Sequence, residues 1–150
     1  LRLEPSPDSR LVGRCFAKDR LVVVAAPEVP KPMPGAIRPV PCVVMSSFQP
    51  THWSLDGGQL ILDPIPKLRF SSLLMVRDAA IAGGGAALIP QSIAWNQLAR
   101  GELVQWGTVS GEEPALWVLH TSRRLAAPKV RAFVDFMCAK YPDMSLVLKG

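Results

Sequence analysis

The chain has 150 residues, 49% of them hydrophobic and 19% charged, and it carries a formal net charge of +5. A chain of this length can form one globular domain with a sizeable core, and its apolar fraction excludes a disordered tail. The basic excess is spread as +2 in residues 1–25, +1 in residues 26–104 and +2 in residues 105–150, which is not the pattern of a nucleic-acid-binding surface.

The first strong element is a short apolar strand. Residues 21–25 form a continuous, mostly β-branched run, which is typical of strands buried on both faces in parallel sheets. Residues 27–41 contain six prolines and are expected to form an irregular connection. The remaining predicted elements are, in chain order, strands at 42–45, 60–62 and 67–70, a helix at 71–82, a strand at 86–89, a helix at 92–99, strands at 103–106 and 115–120, and a helix after Pro128. Strands alternate with helices, so the sequence predicts an α/β fold.

Local signals refine two of these elements. Pro64 and Pro66 are expected to interrupt the chain between the strands at 60–62 and 67–70. The last helix is predicted to bury one continuous apolar face, formed by Val130, Phe133, Val134, Met137, Cys138 and Tyr141. The densest basic cluster is interpreted as a solvated face, with a phosphate contact as the alternative; it consists of Arg123, Arg124, Lys129 and Arg131.

The cysteines and the N-terminal residues indicate the cellular compartment of the protein. Cys15, Cys42 and Cys138 are odd in number and widely spaced, with no CxxC pair, so free thiols in a reducing compartment are predicted. Residues 1–10 are polar and proline-rich, without the basic-then-apolar pattern of a signal segment, and no apolar run approaches a membrane span. The sequence therefore predicts a soluble cytoplasmic domain with no membrane partner.

Catalytic and metal signatures are weak. His52 and His120 have no carboxylate or cysteine at metal-ligand spacing, and no GxSxG, HExxH or GxxxxGK[ST] motif occurs. No metal, no cofactor and no catalytic residue are predicted, although a cysteine–histidine nucleophile pair stays open as an alternative. Residues 83–85 are three glycines that follow a helix and precede a strand, which is the reverse of the dinucleotide-binding order. They predict a tight turn, and Gly85 also suits the wall of a binding pocket.

Two segments are candidates for small-ligand binding. Ser46, Ser47 and Phe48 follow a buried strand, and ligands of open α/β sheets bind beyond the carboxyl ends of strands. Ser71 and Ser72 begin a helix, where unpaired backbone N–H groups attract anions. Simple helix capping would explain the same serines, so both interpretations stay open.

Several strings carry a family resemblance. They are "DRLVVVAAPE", "PCVVMSSFQPTHW", "LRFSSLLMVRDAAIAGGGAALIP", "LARGELVQW" and "PALWVLHTSRRLAAPKVRAFVDFM". Their order and spacing resemble the effector-binding domain of LysR-type transcriptional regulators over residues 11–140. The most specific string resembles the family pattern AA-x-AG-x-GIA-x-LP, with Ala86 in place of the usual isoleucine.

The resemblance implies a periplasmic-binding-protein-like fold of two α/β lobes with the effector in the cleft between them. Residues 26–107 would form the second lobe, and residues 1–25 and 108–150 part of the first. The cleft would be lined by residues 46–48 and by Phe70, Ser71 and Ser72. The implied function is non-enzymatic sensing of a small, often anionic, metabolite that controls DNA binding.

The resemblance also implies segments that this sequence does not contain. A winged helix-turn-helix that reads DNA, and two further βαβ-type units of the first lobe, would be expected before Leu1. Their absence would expose apolar surface, so association between copies into a homo-oligomer is predicted. The alternative functions are a solute-binding component of a transporter with the same fold and an enzyme that uses one of the cysteines.

Overall fold

The computed structural model describes residues 2–3, 12–49, 51–111, 113–120, 128–142 and 144. These residues form, in chain order, strands β1 (Arg2–Leu3), β2 (Val12–Lys18), β3 (Leu21–Ala25), β4 (Arg38–Met45), β5 (Trp53–Leu55) and β6 (Leu60–Phe70), helix α1 (Leu73–Ile81), strand β7 (Ala86–Pro90), helix α2 (Gln91–Ala99), strands β8 (Val104–Thr108) and β9 (Ala115–His120), and helix α3 (Pro128–Lys140). The chain divides into a larger unit, residues 20–112, and a smaller unit, residues 1–19 with 113–150.

The larger unit is a six-stranded mixed sheet in the order β5-β6-β4-β7-β3-β8. Strand β4 is parallel to both β6 and β7, whereas β3 is antiparallel to both β7 and β8. The predicted α/β class is confirmed, but strands and helices alternate only from β6 to β8, because β3, β4, β5 and β6 follow one another without an α-helix between them.

Strand β3 shows why its sequence is apolar throughout. Val22 and Val24 contribute to the core under helices α1 and α2, while Val23 and Ala25 contribute to the core on the opposite face of the sheet. Alternate side chains of a strand point to opposite faces, so a strand covered on both sides needs a continuous apolar run. The predicted burial is therefore confirmed, but the expectation of parallel neighbours is wrong, because burial on two faces does not depend on strand direction.

The sheet curls until its two outer strands meet. Leu55 at the end of β5 forms an antiparallel bridge with Val109, just after β8. The face inside this curl carries the first core cluster, which includes Trp53, Leu62 and Trp106. The outer face carries the second core cluster, on which α1 and α2 pack through buried residues such as Val76, Ala80 and Ala94.

Prolines lie inside two strands of this sheet. Strand β6 runs unbroken through Pro64 and Pro66, so the predicted interruption is wrong. A proline fits a strand where no neighbour needs its missing N–H. Strand β5 pairs only with Leu60, Ile61 and Leu62, and among the described residues no strand covers the outer edge of β6 beyond them.

Strand β4 follows the same rule. It begins at Arg38 and includes Pro39 and Pro41, which the sequence assigned to the irregular connection. Strand β7 pairs with β4 only at Cys42 and Val43, so both prolines precede the part of β4 that has neighbours on two sides.

The smaller unit is a three-stranded antiparallel sheet in the order β1-β9-β2, with α3 packed against it. Among its described residues only Phe16, Ala17 and Val118 form a buried apolar core. Val134, Met137 and Cys138 of α3 pack on this core, together with Tyr141 just after the helix, as predicted. Phe133 is 48% exposed, so the predicted apolar face is wrong at that residue, and Phe136 is 58% exposed.

Several further sequence predictions fall on the described residues. Cys15, Cys42 and Cys138 are all free, as predicted. Lys129 and Arg131 are exposed on α3, whereas Arg123 and Arg124 of the same basic cluster lie outside the described residues. Within the part of the chain that is described, no helix is both long and apolar enough to cross a membrane.

Candidate functional site

The site begins where two parallel strands end together. Met45, the last residue of β4, pairs with Phe70, the last residue of β6. The backbone N–H of Ser46 then donates to the carbonyl oxygen of Phe70 at 2.8 Å, one residue beyond the strand ladder. The chain therefore leaves both strands at the same edge of the sheet, and the two candidate segments, residues 46–48 and 70–72, are neighbours.

Helix α1 starts directly after the second segment. Ser72 has an extended backbone and its hydroxyl accepts the N–H of Leu74 at 3.3 Å, which makes Ser72 the N-cap. The first turn carries no acidic side chain. Because the first N–H groups of a helix have no partner within the helix, this terminus keeps a partial positive charge that favours an anion.

The first segment is held as a tight turn. The N–H of Phe48 donates to the carbonyl oxygen of Met45 at 2.9 Å, and the guanidinium of Arg69 donates to the carbonyl oxygen of Phe48 at 3.2 Å. The Phe48 ring meets Trp53 edge to face, with the ring centroids 6.2 Å apart. Trp53 is 1% exposed and so supports Phe48 from below rather than offering a surface of its own.

The residues of the two segments differ in their exposure to solvent. Ser46, Ser47 and Ser71 are exposed, whereas Phe48, Phe70 and Ser72 are half-buried. Hydroxyl donors are thus accessible beside two aromatic side chains. Such a combination suits a small molecule with an anionic end and an apolar part.

Gly85 is not part of this group. It precedes β7 at the amino end of that strand, where the register places it beside Pro41. Pro41 lies four residues before Met45, which is ~13 Å along a strand. A Cβ on Gly85 would lie 2.6 Å from the carbonyl oxygen of Pro41, and its φ is +130°. The glycine therefore permits close backbone packing of β7 on β4.

Arg69 was not singled out from the sequence. It is exposed, and its hydrogen bond to Phe48 places a positive charge beside the serines. The charge also acts on Cys42: burial raises the pKa of that thiol to about 11, and Arg69 opposes the rise. The signal available in the sequence was a basic residue directly before the predicted strand end at Phe70.

No catalytic group gathers at this edge. His52 lies 3.7 Å from Asp63, measured from Nε2 to Oδ1, and the two side chains are 57% and 45% exposed. His120 ends β9 in the smaller unit, and its side chain lies outside the described residues. The described residues hold no group of three histidine, cysteine or acidic side chains that could bind a metal ion.

Comparisons with known proteins identify the family to which this chain is similar. The model of the LysR substrate binding domain matches residues 1–141. The search of curated proteins found no match.

Solved structures share the fold. The regulatory domain of CrgA, a LysR-type transcriptional regulator from Neisseria meningitidis, superposes with a TM-score of 0.75 at 21% identity over 93% of this chain and 73% of that one. The effector domain of the regulator AmpR of Pseudomonas aeruginosa gives 0.70 at 16% identity over 95% and 70%.

Full-length AphB of Vibrio cholerae, described as a virulence activator, gives a TM-score of 0.71 at 23% identity over 93% of this chain. The chain thus spans about half, 51%, of that protein's length. The fold is periplasmic-binding-protein-like, and the family model covers nearly the whole sequence. The chain belongs to the LysR substrate-binding domain family.

Proposed function

We propose that this chain is the effector-sensing part of a LysR-type transcription regulator and binds a small anionic metabolite at residues 46–48 and 70–72. The observation that carries the proposal is the pairing of Met45 with Phe70, which brings a serine-rich turn beside the N-terminus of α1. The family supports a regulatory domain, and the geometry of this edge supports the ligand class.

The anionic class follows from the local charges. The α1 terminus supplies a partial positive charge worth about 0.3–1 kcal/mol to a nearby anion. Arg69 adds a full charge, and Ser46, Ser47 and Ser71 add hydroxyl donors. Hydrogen bonds to a charged acceptor are each worth roughly 1.5–3 kcal/mol. Phe48 and Phe70 would contact an apolar part of the same molecule.

The proposal extends to the whole regulator. Effector binding would control transcription through an upstream winged helix-turn-helix, in a cytoplasmic homo-oligomer that has no enzymatic activity. The lobes predicted at residues 26–107 and at residues 1–25 with 108–150 remain part of this proposal. The alternative of a transporter's solute-binding component is not favoured, because the family model and the regulators reported above point to transcription control.

The test is a thermal-shift screen of the chain against small carboxylates. A ligand that binds the folded state stabilises it by about 2.7 kcal/mol at one hundred times its Kd. We expect at least one carboxylate to raise the Tm in a concentration-dependent way, and its uncharged amide to have no effect.

One matched variant separates anion binding from helix capping. Ser72→Asp keeps a good N-cap, because aspartate and serine cap helices about equally well. The added negative charge would repel an anionic ligand. We expect the Tm without ligand to be preserved and the ligand-induced shift to disappear, while Thr51→Ala, an exposed hydroxyl nearby, changes neither. A ligand-induced shift that survives Ser72→Asp would contradict this site.

A further inference from the structure

A short turn follows β5, at the place where β5 meets the residues after β8. Residues Asp56, Gly57 and Gly58 form a single 3-10 turn after β5, and none of them is buried. Their φ angles are +50°, +73° and +92°. The two glycines adopt a positive φ without steric cost, whereas the positive φ of Asp56 stores backbone strain, which persists only where other contacts hold the residue in place.

Those contacts reach across to the end of β8, which pairs with β3, and to the residues that follow it. The Asp56 carboxylate accepts the N–H of Thr108 at 2.9 Å, and the Gly57 N–H donates to the hydroxyl of Ser110 at 3.1 Å. The N–H of Ser110 donates to the carbonyl oxygen of Ser54 at 3.3 Å. The Asp56 turn, residues 56–58, therefore holds the connection segment, residues 107–111, by polar contacts.

Gly107 makes room for this arrangement. A Cβ at Gly107 would lie 2.7 Å from Oδ2 of Asp56 and 3.1 Å from the Cβ of Leu55. The first distance is too short for real atoms, so the carboxylate and a side chain at position 107 exclude each other. The backbone of Gly107 is not left-handed, and close approach is therefore what requires a glycine.

The connection segment has a second, firmer attachment on its other side. The N–H of Val109 donates to the carbonyl oxygen of Leu21 at 2.9 Å, and Trp106 just before the segment is 2% exposed. The contacts with Asp56 and Gly57 are by contrast exposed. Solvent-exposed hydrogen bonds of this kind open locally at a lower free energy than a buried core.

We propose that the Asp56 turn is a latch that opens locally from the connection segment, while the segment keeps its attachment to β3 and the rest of the larger unit stays folded. A ligand or partner that prefers the open turn would shift the population towards the open state.

The test is amide hydrogen exchange of the chain followed by NMR. We expect the Thr108 amide to exchange at least a hundredfold faster than the amides of β3. Asp56→Ala removes a charged acceptor and should accelerate Thr108 exchange by a further factor of roughly ten, with β3 unchanged. Asp56→Asn keeps an acceptor oxygen and tolerates positive φ, so its effect should be at most a few-fold.

Gly107→Ala supplies an independent variant, because its Cβ displaces the Asp56 carboxylate. Alone it should accelerate Thr108 exchange, and combined with Asp56→Ala it should add little. If the double variant accelerates Thr108 exchange by the product of the two single effects, the latch is overturned. It is also overturned if exchange of the β3 amides rises in parallel with that of Thr108. Failure of Asp56→Ala to fold would overturn it too, since a local latch does not support the whole unit.

Discussion

The two units of this chain achieve stability by different means. The larger unit has two buried clusters on opposite faces of one sheet, with eleven and nine buried residues, and includes large side chains such as Trp53 and Leu62. The described part of the smaller unit has three buried residues and a single helix without a buried side chain.

The comparison of the two units shows that well-formed secondary structure does not by itself make a unit stable. Strands β2 and β9 pair over six positions and α3 runs for thirteen residues, so the smaller unit is well formed locally. Net stability nevertheless comes mainly from buried apolar area, at roughly 25 cal/mol per Å². We therefore expect the larger unit to be the more stable of the two, and the following experiments would break or sharpen that contrast.

The largest expected effect is on the free energy of unfolding, and it is tested by substituting one leucine in each unit. Leu62 is fully buried in the larger unit, whereas Leu116 is half-buried against the core of the smaller one. Leu62→Ala should cost about 3 kcal/mol, which lies within the range of roughly 2–5 kcal/mol for a cavity of this kind in a buried core. Leu116→Ala should cost about 1 kcal/mol, because the site is partly open to solvent already.

Denaturant unfolding would measure both changes. Trp53 and Trp106 report on the larger unit and Trp117 on the smaller. Equal losses for the two leucine variants would contradict the contrast between the units.

The second effect is a fall of about 2.7 kcal/mol in the free energy of unfolding at alkaline pH. The pKa of the buried Cys42 thiol is raised from 9.0 to about 11. Two pKa units correspond to about 2.7 kcal/mol. The unfolded chain loses the proton first, so the stability due to the neutral buried thiol is fully present below pH 9 and is lost between pH 9 and pH 11.

Chemical denaturation of the chain at several pH values would reveal this loss. Cys42→Ala should flatten the part of the profile that lies between pH 9 and pH 11, whereas Cys138→Ala, in the smaller unit, should leave it steep. An unchanged profile in Cys42→Ala would mean that the thiol does not carry the effect.

The smallest effect on folding should come from the exposed rings of α3. Phe133→Ser and Phe136→Ser should each change the free energy of unfolding by about 0.5 kcal/mol or less, as is usual at surface positions. Both should reduce binding of an apolar dye and shift the mass in light scattering towards the monomer, if these rings support the proposed association. A dye signal that persists in the double variant would place the apolar surface elsewhere.

Sequence reasoning succeeded where the signal was local. The strand ending at Met45, the strand ending at Phe70 and a helix cap at Ser71 or Ser72 were all predicted from their immediate neighbours, and the structure assigns the cap to Ser72. It failed where the outcome depended on a distant partner. Pro64 lies within a strand because β5 begins only at Trp53, the partner of Leu62, and no local pattern shows that.

Two other features depend on long-range packing in the same way. Close packing on the carbonyl oxygen of Pro41, a residue more than forty positions earlier in the chain, requires a glycine at position 85. The role of Asp56 depends on Thr108, although the Asp-Gly-Gly string was a readable turn signal that the sequence interpretation passed over. Strand β2 was missed altogether, because its run of residues 12–18 mixes charged and apolar side chains.

The prolines of β6 also constrain how copies of this chain can associate. An exposed strand edge usually acts as a template on which another strand, and eventually a fibril, can grow. Pro64 and Pro66 interrupt the row of donors along that edge, and Lys67 and Arg69 add charge to it. This border of the sheet, as far as the described residues form it, is therefore a poor template for the addition of a strand from another copy.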